Sequence, residues 1–264
     1  MEGVFWILVP SRDFDATVAF FEDVMGYPVE QRGTPKDDPQ YLRYAMVRAP
    51  NGIVLEVLEP APACRTLYTH PVISISVKDL KETRRALEAA GIDFLTDTYT
   101  DQAGQLWTYF REPGGGLLQV SEDSNAGQNA PISEGEDGVE WLLVPTEAFD
   151  ATVAFFEEVM GFPVEQRGKP VNDLQFLRYA VIRMRNGMVL ELVEPAPEAA
   201  ERLKGAVVCL TVQDLGGMRA HLEGHGVAFA SGIIDTKTGL GWTYFQVPGA
   251  TVFQLQGGTP PRTA

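Results

Sequence analysis

Two rhythms of apolar and polar positions alternate along the chain. Val4–Val9 is a continuous apolar run of the kind a buried strand shows. From Phe14 to Met25 the apolar residues fall at helical spacing, with Val18, Phe21 and Met25 on one face. Asp13 or Asp15 is placed to cap that helix and Gly26 to end it. Pro28–Gln31, Tyr41–Arg48 and Ile53–Leu58 follow as strands, the last two joined by Asn51-Gly52, a strong hairpin signal. The order is β-α-β-β-β. It then recurs, with Val72–Val77 as strand and Leu80–Ala90 as a helix stopped by Gly91. Ile92–Leu95, Leu106–Phe110 and Leu117–Val120 complete it as strands, the last two joined by Pro113-Gly114-Gly115-Gly116.

The whole pattern is then written a second time. Gly3–Gly33 and Gly138–Gly168 agree at 24 of 31 positions, and the offset of 135 residues holds without a gap: Tyr44 matches Tyr179, Asp79 matches Asp214, Trp107 matches Trp242. A register that never slips over half a chain means duplicated domains rather than a short solenoid repeat. The expected organisation is a first domain over 1–122, with modules at about 1–66 and 67–122. A linker over 123–137 separates it from a second domain over 138–257, with modules at about 138–201 and 202–257. The linker is acidic and rich in Gly, Ser and Asn, with Ile132 as its one large apolar residue. A tail over 258–264 ends the chain. The fold class is α+β: four βαβββ modules in two domains.

Composition narrows the partners. Of 264 residues, 45% are hydrophobic and 22% charged, which is ordinary globular usage. The net charge of −15 argues against nucleic acid or an anionic membrane as partner, since phosphate binding needs clustered Lys and Arg. Two cysteines, Cys64 and Cys209, cannot build a disulfide framework or a four-ligand zinc site. No window of 18 apolar residues and no signal-peptide pattern is present, so the expected location is cytoplasmic.

Several stretches together resemble one known family. Val9-Pro10-Ser11-Arg12-Asp13-Phe14 with the following VAFFEDVMGY, then NGIVLEV, VKDLKETRRALEAAGI and WTYFREPGGGLLQV, match the vicinal oxygen chelate superfamily. That superfamily includes glyoxalase I, type I extradiol dioxygenases and bleomycin-binding resistance proteins. Each motif is loose alone; all in order, twice over, are specific. The resemblance implies that paired modules curve into one cup, with the chemistry inside it. Modules in this family pair in sequence or by exchange. It also implies four metal-ligand positions per cup, usually His, Glu, His, Glu. Here they read Trp6, Glu56, Val72 and Gln119, and in the second copy Trp141, Glu191, Val207 and Gln254. Indole and isopropyl groups offer no lone pair to a cation, and an amide is a poor ligand. No metal and no cofactor is therefore expected, and metal-dependent glyoxalase or dioxygenase activity is not expected either. His70 stands just before module two. His221 and His225 share a helix face, where a polar pair near the helix end is the plain reading.

Strand parity then states what faces each cup. If Trp6 and Gln119 occupy ligand positions, Leu8, Leu117, Ser74 and Glu56 point inward too, and the resemblance implies the same for Trp107 and Tyr109. The second copy offers Trp141, Glu191, Cys209, Trp242, Tyr244 and Gln254. All four tryptophans of the chain fall in this set. Two readings stand: the cups are filled cores, or they are aromatic-walled clefts for a planar molecule oriented by Gln and Glu. Glu56 and Glu191 are either proton acceptors or partners of Arg43 and Arg178 on the adjacent hairpin strand. The leading function is small-molecule binding of the sequestering or resistance type. The alternatives are a cofactor-independent lyase or isomerase with Glu56 or Glu191 as base and Tyr109 or Tyr244 as its partner, and a metalloenzyme with unusual ligands. The protein is expected as a monomer or homodimer.

Overall fold

The computed structural model describes residues 2–35, 40–100, 104–122, 132, 137–170, 175–201, 203–235 and 239–258. The expected linker and tail lie almost wholly outside these residues. Ile132 is described, and it is buried, with its N–H donated to the carbonyl of Asn186.

The first half runs β1 (Gly3–Pro10), α1 (Phe14–Ala19), β2 (Val29–Gly33), β3 (Tyr41–Arg48), β4 (Val54–Pro60), β5 (Val72–Val77), α2 (Leu80–Ala89), β6 (Tyr99–Thr100), β7 (Leu106–Arg111) and β8 (Leu117–Glu122). The second repeats it: β9 (Gly138–Pro145), α3 (Phe149–Ala154), β10 (Val164–Gly168), β11 (Phe176–Arg183), β12 (Val189–Pro195), β13 (Val207–Val212), α4 (Leu215–Gly224), β14 (Ile234–Asp235), β15 (Leu240–Gln246) and β16 (Val252–Gly258). Each half forms one 8-stranded sheet, ordered β2-β3-β4-β1-β5-β8-β7-β6 and β10-β11-β12-β9-β13-β16-β15-β14. Consecutive modules therefore share a sheet, joined where β1 runs antiparallel to β5 and β9 to β13. The architecture is α+β, as the pattern predicts.

Three local details differ from the expectation. The first helix does not stay α to Met25; after Ala19 it widens into a π turn over Phe20–Val24, closed by Met25 N–H to the Phe20 carbonyl. The wider turn lets the adjacent rings of Phe20 and Phe21 both be buried, where only Phe21 was expected to pack. Ile92–Leu95 is not a strand. It makes a single bridge, Phe94 to Phe110, because the Thr96 hydroxyl takes the Tyr109 N–H (3.2 Å) that a ladder would use. Pairing resumes only at Tyr99. The Asn51-Gly52 hairpin closes as a three-residue loop between Ala49 and Ile53, with Gly52 at φ 90°.

The helices cover the outer sheet faces, and the π turns that follow α1 and α3, Phe20–Val24 and Phe155–Val159, reach across to the other half. Phe20 lies 6.0 Å from Phe245 and Phe21 6.0 Å from Phe253, while Phe155 lies 6.0 Å from Phe110. This shared apolar layer runs through both halves. Each cup keeps a separate cluster of its own. Among the described residues no helix is long and apolar enough to cross a membrane.

Candidate functional site

Register across the sheet brings the expected inward residues into rows. In the first cup Trp6 on β1 stands beside Ser74 on β5, Ser74 beside Gln119 on β8, and Gln119 beside Tyr109 on β7. The next row holds Met46, Glu56, Leu8 and Val72. The second cup repeats this as Trp141, Cys209, Gln254 and Tyr244, then Val181, Glu191, Leu143 and Val207. Trp107 and Trp242 sit one pleat further along β7 and β15, paired with Ser121 and Gln256.

The floor of each cup is packed. Tyr109 is 1% exposed and Tyr244 0%, while Gln119 and Gln254 are buried beside them. Trp6, Trp107, Trp141 and Trp242 are only half-buried and pack against these floors. The Trp6 indole donates to Glu56 (2.7 Å), and Trp141 to Glu191 (3.0 Å). The Gln119 amide donates to the Tyr109 hydroxyl (2.8 Å). In the second cup the thiol of Cys209 donates to Gln254 Oε1 (3.0 Å).

The expected pairing of Glu56 with Arg43, and of Glu191 with Arg178, is not made. Arg43 stands opposite Glu59, three residues from Glu56 and so of opposite parity, and the pleat sends it to the other face of the sheet. There it bonds Glu59 (2.6 Å) and Asp15 (3.0 Å) and lies over the Phe14 ring at 4.4 Å. Arg178 repeats this with Glu194, Asp150 and Phe149.

The four ligand positions do not fit a metal. Trp6 presents an N–H already given to the one carboxylate of the set, Val72 has no donor atom, and the Gln119 amide is engaged with Tyr109. Among the described residues no three His, Cys, Asp or Glu side chains gather as a metal site. His221 instead reaches the Val24 carbonyl across the halves (2.9 Å), and His225 bonds back to the His221 carbonyl.

Burial pushes the Cys209 thiol well above its ordinary value; the charge of Glu191 adds to this and a backbone hydrogen bond at Leu143 opposes it. Folding thus favours the neutral thiol. The sign follows: stability is intact below the ordinary thiol value, about 8.5, and falls as pH rises past it toward the folded value. Iodoacetamide at pH 8.5 is expected to label the half-buried Cys64 in the native protein and spare Cys209 until it unfolds. Peptide mapping checks this, and equal labelling of both would contradict the burial.

A cleft of about 740 Å³ opens elsewhere, between the loop around His70 and the segment Leu203–Ala206 of the other half. Of the residues expected to face a cup, Leu117 alone lines it. Burial, then the charge of Lys204, pulls His70 below the usual imidazole value there.

A sequence profile of the Glyoxalase/Bleomycin resistance protein/Dioxygenase superfamily matches residues 3–120 and 138–255. The Mn(II)-bound glyoxalase from Novosphingobium aromaticivorans superposes with a TM-score of 0.65 at 19% identity, covering 97% of this chain and 82% of that one. The 2,3-dioxygenase LapB from Pseudomonas sp. KL28 gives 0.65 at 14% identity, covering 100% and 96%. The 2,2',3-trihydroxybiphenyl 1,2-dioxygenase from Sphingomonas wittichii strain RW1 gives 0.63 at 15%, covering 97% and 90%. At these identities the likeness is one of fold. No curated protein matches the chain in sequence.

Proposed function

The chain belongs to the Glyoxalase/Bleomycin resistance protein/Dioxygenase superfamily, and from that premise we propose that it is a cytoplasmic protein that binds a small planar aromatic molecule at its cups without a metal. One observation carries the reading. In each cup two half-buried indoles stand over a fully buried tyrosine floor, and one of them orients a carboxylate by hydrogen bond. Half-covered Trp rings are stacking surfaces, and the Glu, Gln and Tyr groups beside them fix a ligand's orientation. Such a protein sequesters its ligand rather than transforming it.

Intrinsic tryptophan fluorescence tests this. Titration with a panel of planar aromatic compounds is expected to quench or shift emission with saturation. A flat response across the panel, with nothing co-purifying by native mass spectrometry, overturns the proposal.

A second reading is favoured by one detail. The donor that Trp6 offers Glu56 is neutral, and Arg43, the cation expected beside it, sits on the far face of the sheet. A carboxylate in the cup row beside Leu8 and Val72 suits a general base, with Tyr109 or Tyr244 near the reacting oxygen. Glu56→Gln and Glu191→Gln separate the two. A binder keeps most of its affinity, whereas an enzyme loses turnover by about 10²–10⁴-fold.

A further inference from the structure

The two cups are not equally filled. In the first, Tyr99 on β6 pairs with Trp107 and stacks on its indole, ring centroids 5.8 Å apart and planes at 21°. Tyr99 also meets Tyr109 edge-on at 6.5 Å, and Tyr68 meets Tyr109 at 5.9 Å. The stacking position over Trp107 is thus taken by the protein's own ring.

In the second cup the constant offset sets Ile234 opposite Trp242 and Leu203 at the place of Tyr68. Both pack as aliphatic groups. Among the described residues no ring lies against Trp242. Its Nε1–H is shielded from solvent and has no hydrogen-bond partner there. The other indole of this cup, Trp141, is already bonded to Glu191. Buried donors nearly always have an acceptor, so one without a partner marks where an acceptor belongs.

We infer that the second cup takes the planar molecule, its ring lying against Trp242 as Tyr99 lies against Trp107, and its carbonyl or ring nitrogen accepting the Trp242 N–H. This rests on the cup-binding reading above and says which cup binds and what it reads. A neutral ligand fits best, because Glu191 stands in the same cup and the chain carries a net charge of −15. The first cup is the self-filled copy, with Tyr99 in the ligand's place.

The four tryptophans give four indole N–H signals in a ¹H–¹⁵N spectrum, assignable with single Trp→Phe variants. The full chain is titrated with acridone, a flat neutral molecule with one carbonyl. The Trp242 and Trp141 signals are expected to move, with Trp6 and Trp107 still, at one molecule per chain. Trp242→Phe keeps a stacking face without the donor and weakens binding about tenfold. Ile234→Tyr places the first cup's plug in the second and abolishes binding, while Tyr99→Ile opens the first cup to a second molecule. Unmoved signals of the remaining tryptophans show that each variant is folded. Movement of the Trp6 or Trp107 signals in the unaltered chain, or undiminished affinity in Trp242→Phe, overturns the assignment of the cup while leaving cup binding intact. If no indole signal moves, cup binding itself fails and this inference with it.

Discussion

Replacing Asn51 and Asn186 together by alanine is expected to cost about 3–6 kcal/mol of stability and to lower the unfolding midpoint by roughly 10 °C. Each Asn lies in the β-hairpin turn of one half and works in the other. The Asn51 amide donates to the Val139 carbonyl (2.8 Å) and accepts the Val139 N–H (3.2 Å), a two-way pairing with the start of β9. Asn186 donates to the Val4 carbonyl (2.6 Å) at the start of β1. Both side chains and both valines are buried, so truncation strands main-chain groups that water cannot reach. The close fit depends on Gly138 and Gly3, at φ 148° and 152°. A Cβ on Gly138 would come within 2.4 Å of the Asn51 amide, and one on Gly3 within 2.3 Å of Asn186. Gly138→Ala is therefore a second route to the same loss. Thermal and urea melts check both. A double variant within about 1 kcal/mol of the unaltered chain would show that the contacts between halves contribute little.

Residues 3–122 expressed alone are expected to form a homodimer. In the intact chain Phe20 lies on Phe245 and Phe155 lies on Phe110. The offset of 135 makes these one contact seen twice, since Phe155 matches Phe20 and Phe245 matches Phe110. The first half thus carries both the ring and its seat, and likewise both Gly3 and Asn51. Left alone it exposes an apolar layer that a second copy covers in the same way. Thr17 would then meet the Glu112 carboxylate that Thr152 meets now (2.8 Å). Sedimentation is expected to give twice the fragment mass, with an unfolding midpoint that rises with concentration. A folded monomer at micromolar concentration would mean that the layer between halves is dispensable.

Much of the site is legible without coordinates because strand parity is a local rule. With Trp6 and Gln119 inward, alternation along the strands together with the family resemblance puts Glu56, Ser74, Trp107 and Tyr109 on one face, and the registers set them on the same face. Arg43 was not decided by that rule: a two-residue Asn51-Gly52 turn would set it on the face of Glu56, and the three-residue loop shifts the register so that it stands opposite Glu59. Ile92–Leu95 misled for another reason: four apolar residues read as a strand, but the Thr96 hydroxyl displaces the main-chain pairing.

The sequence by itself determined the duplication and the α+β modules, since these depend on residue identity and short spacing; that Trp, Val and Gln stand where the family usually has metal donors is what the resemblance implies. Only the tertiary structure decided the rest. Asn51 reads as a turn residue, and its bond to Val139 spans 88 residues; Asn186 reaches Val4 across 182. Nothing local announces such pairings, because they exist only once two surfaces meet. The inequality of the cups belongs to the same class. Tyr99 against Ile234 is one substitution on paper. It becomes an occupied or an open stacking face only when the ladder sets each of them opposite a tryptophan.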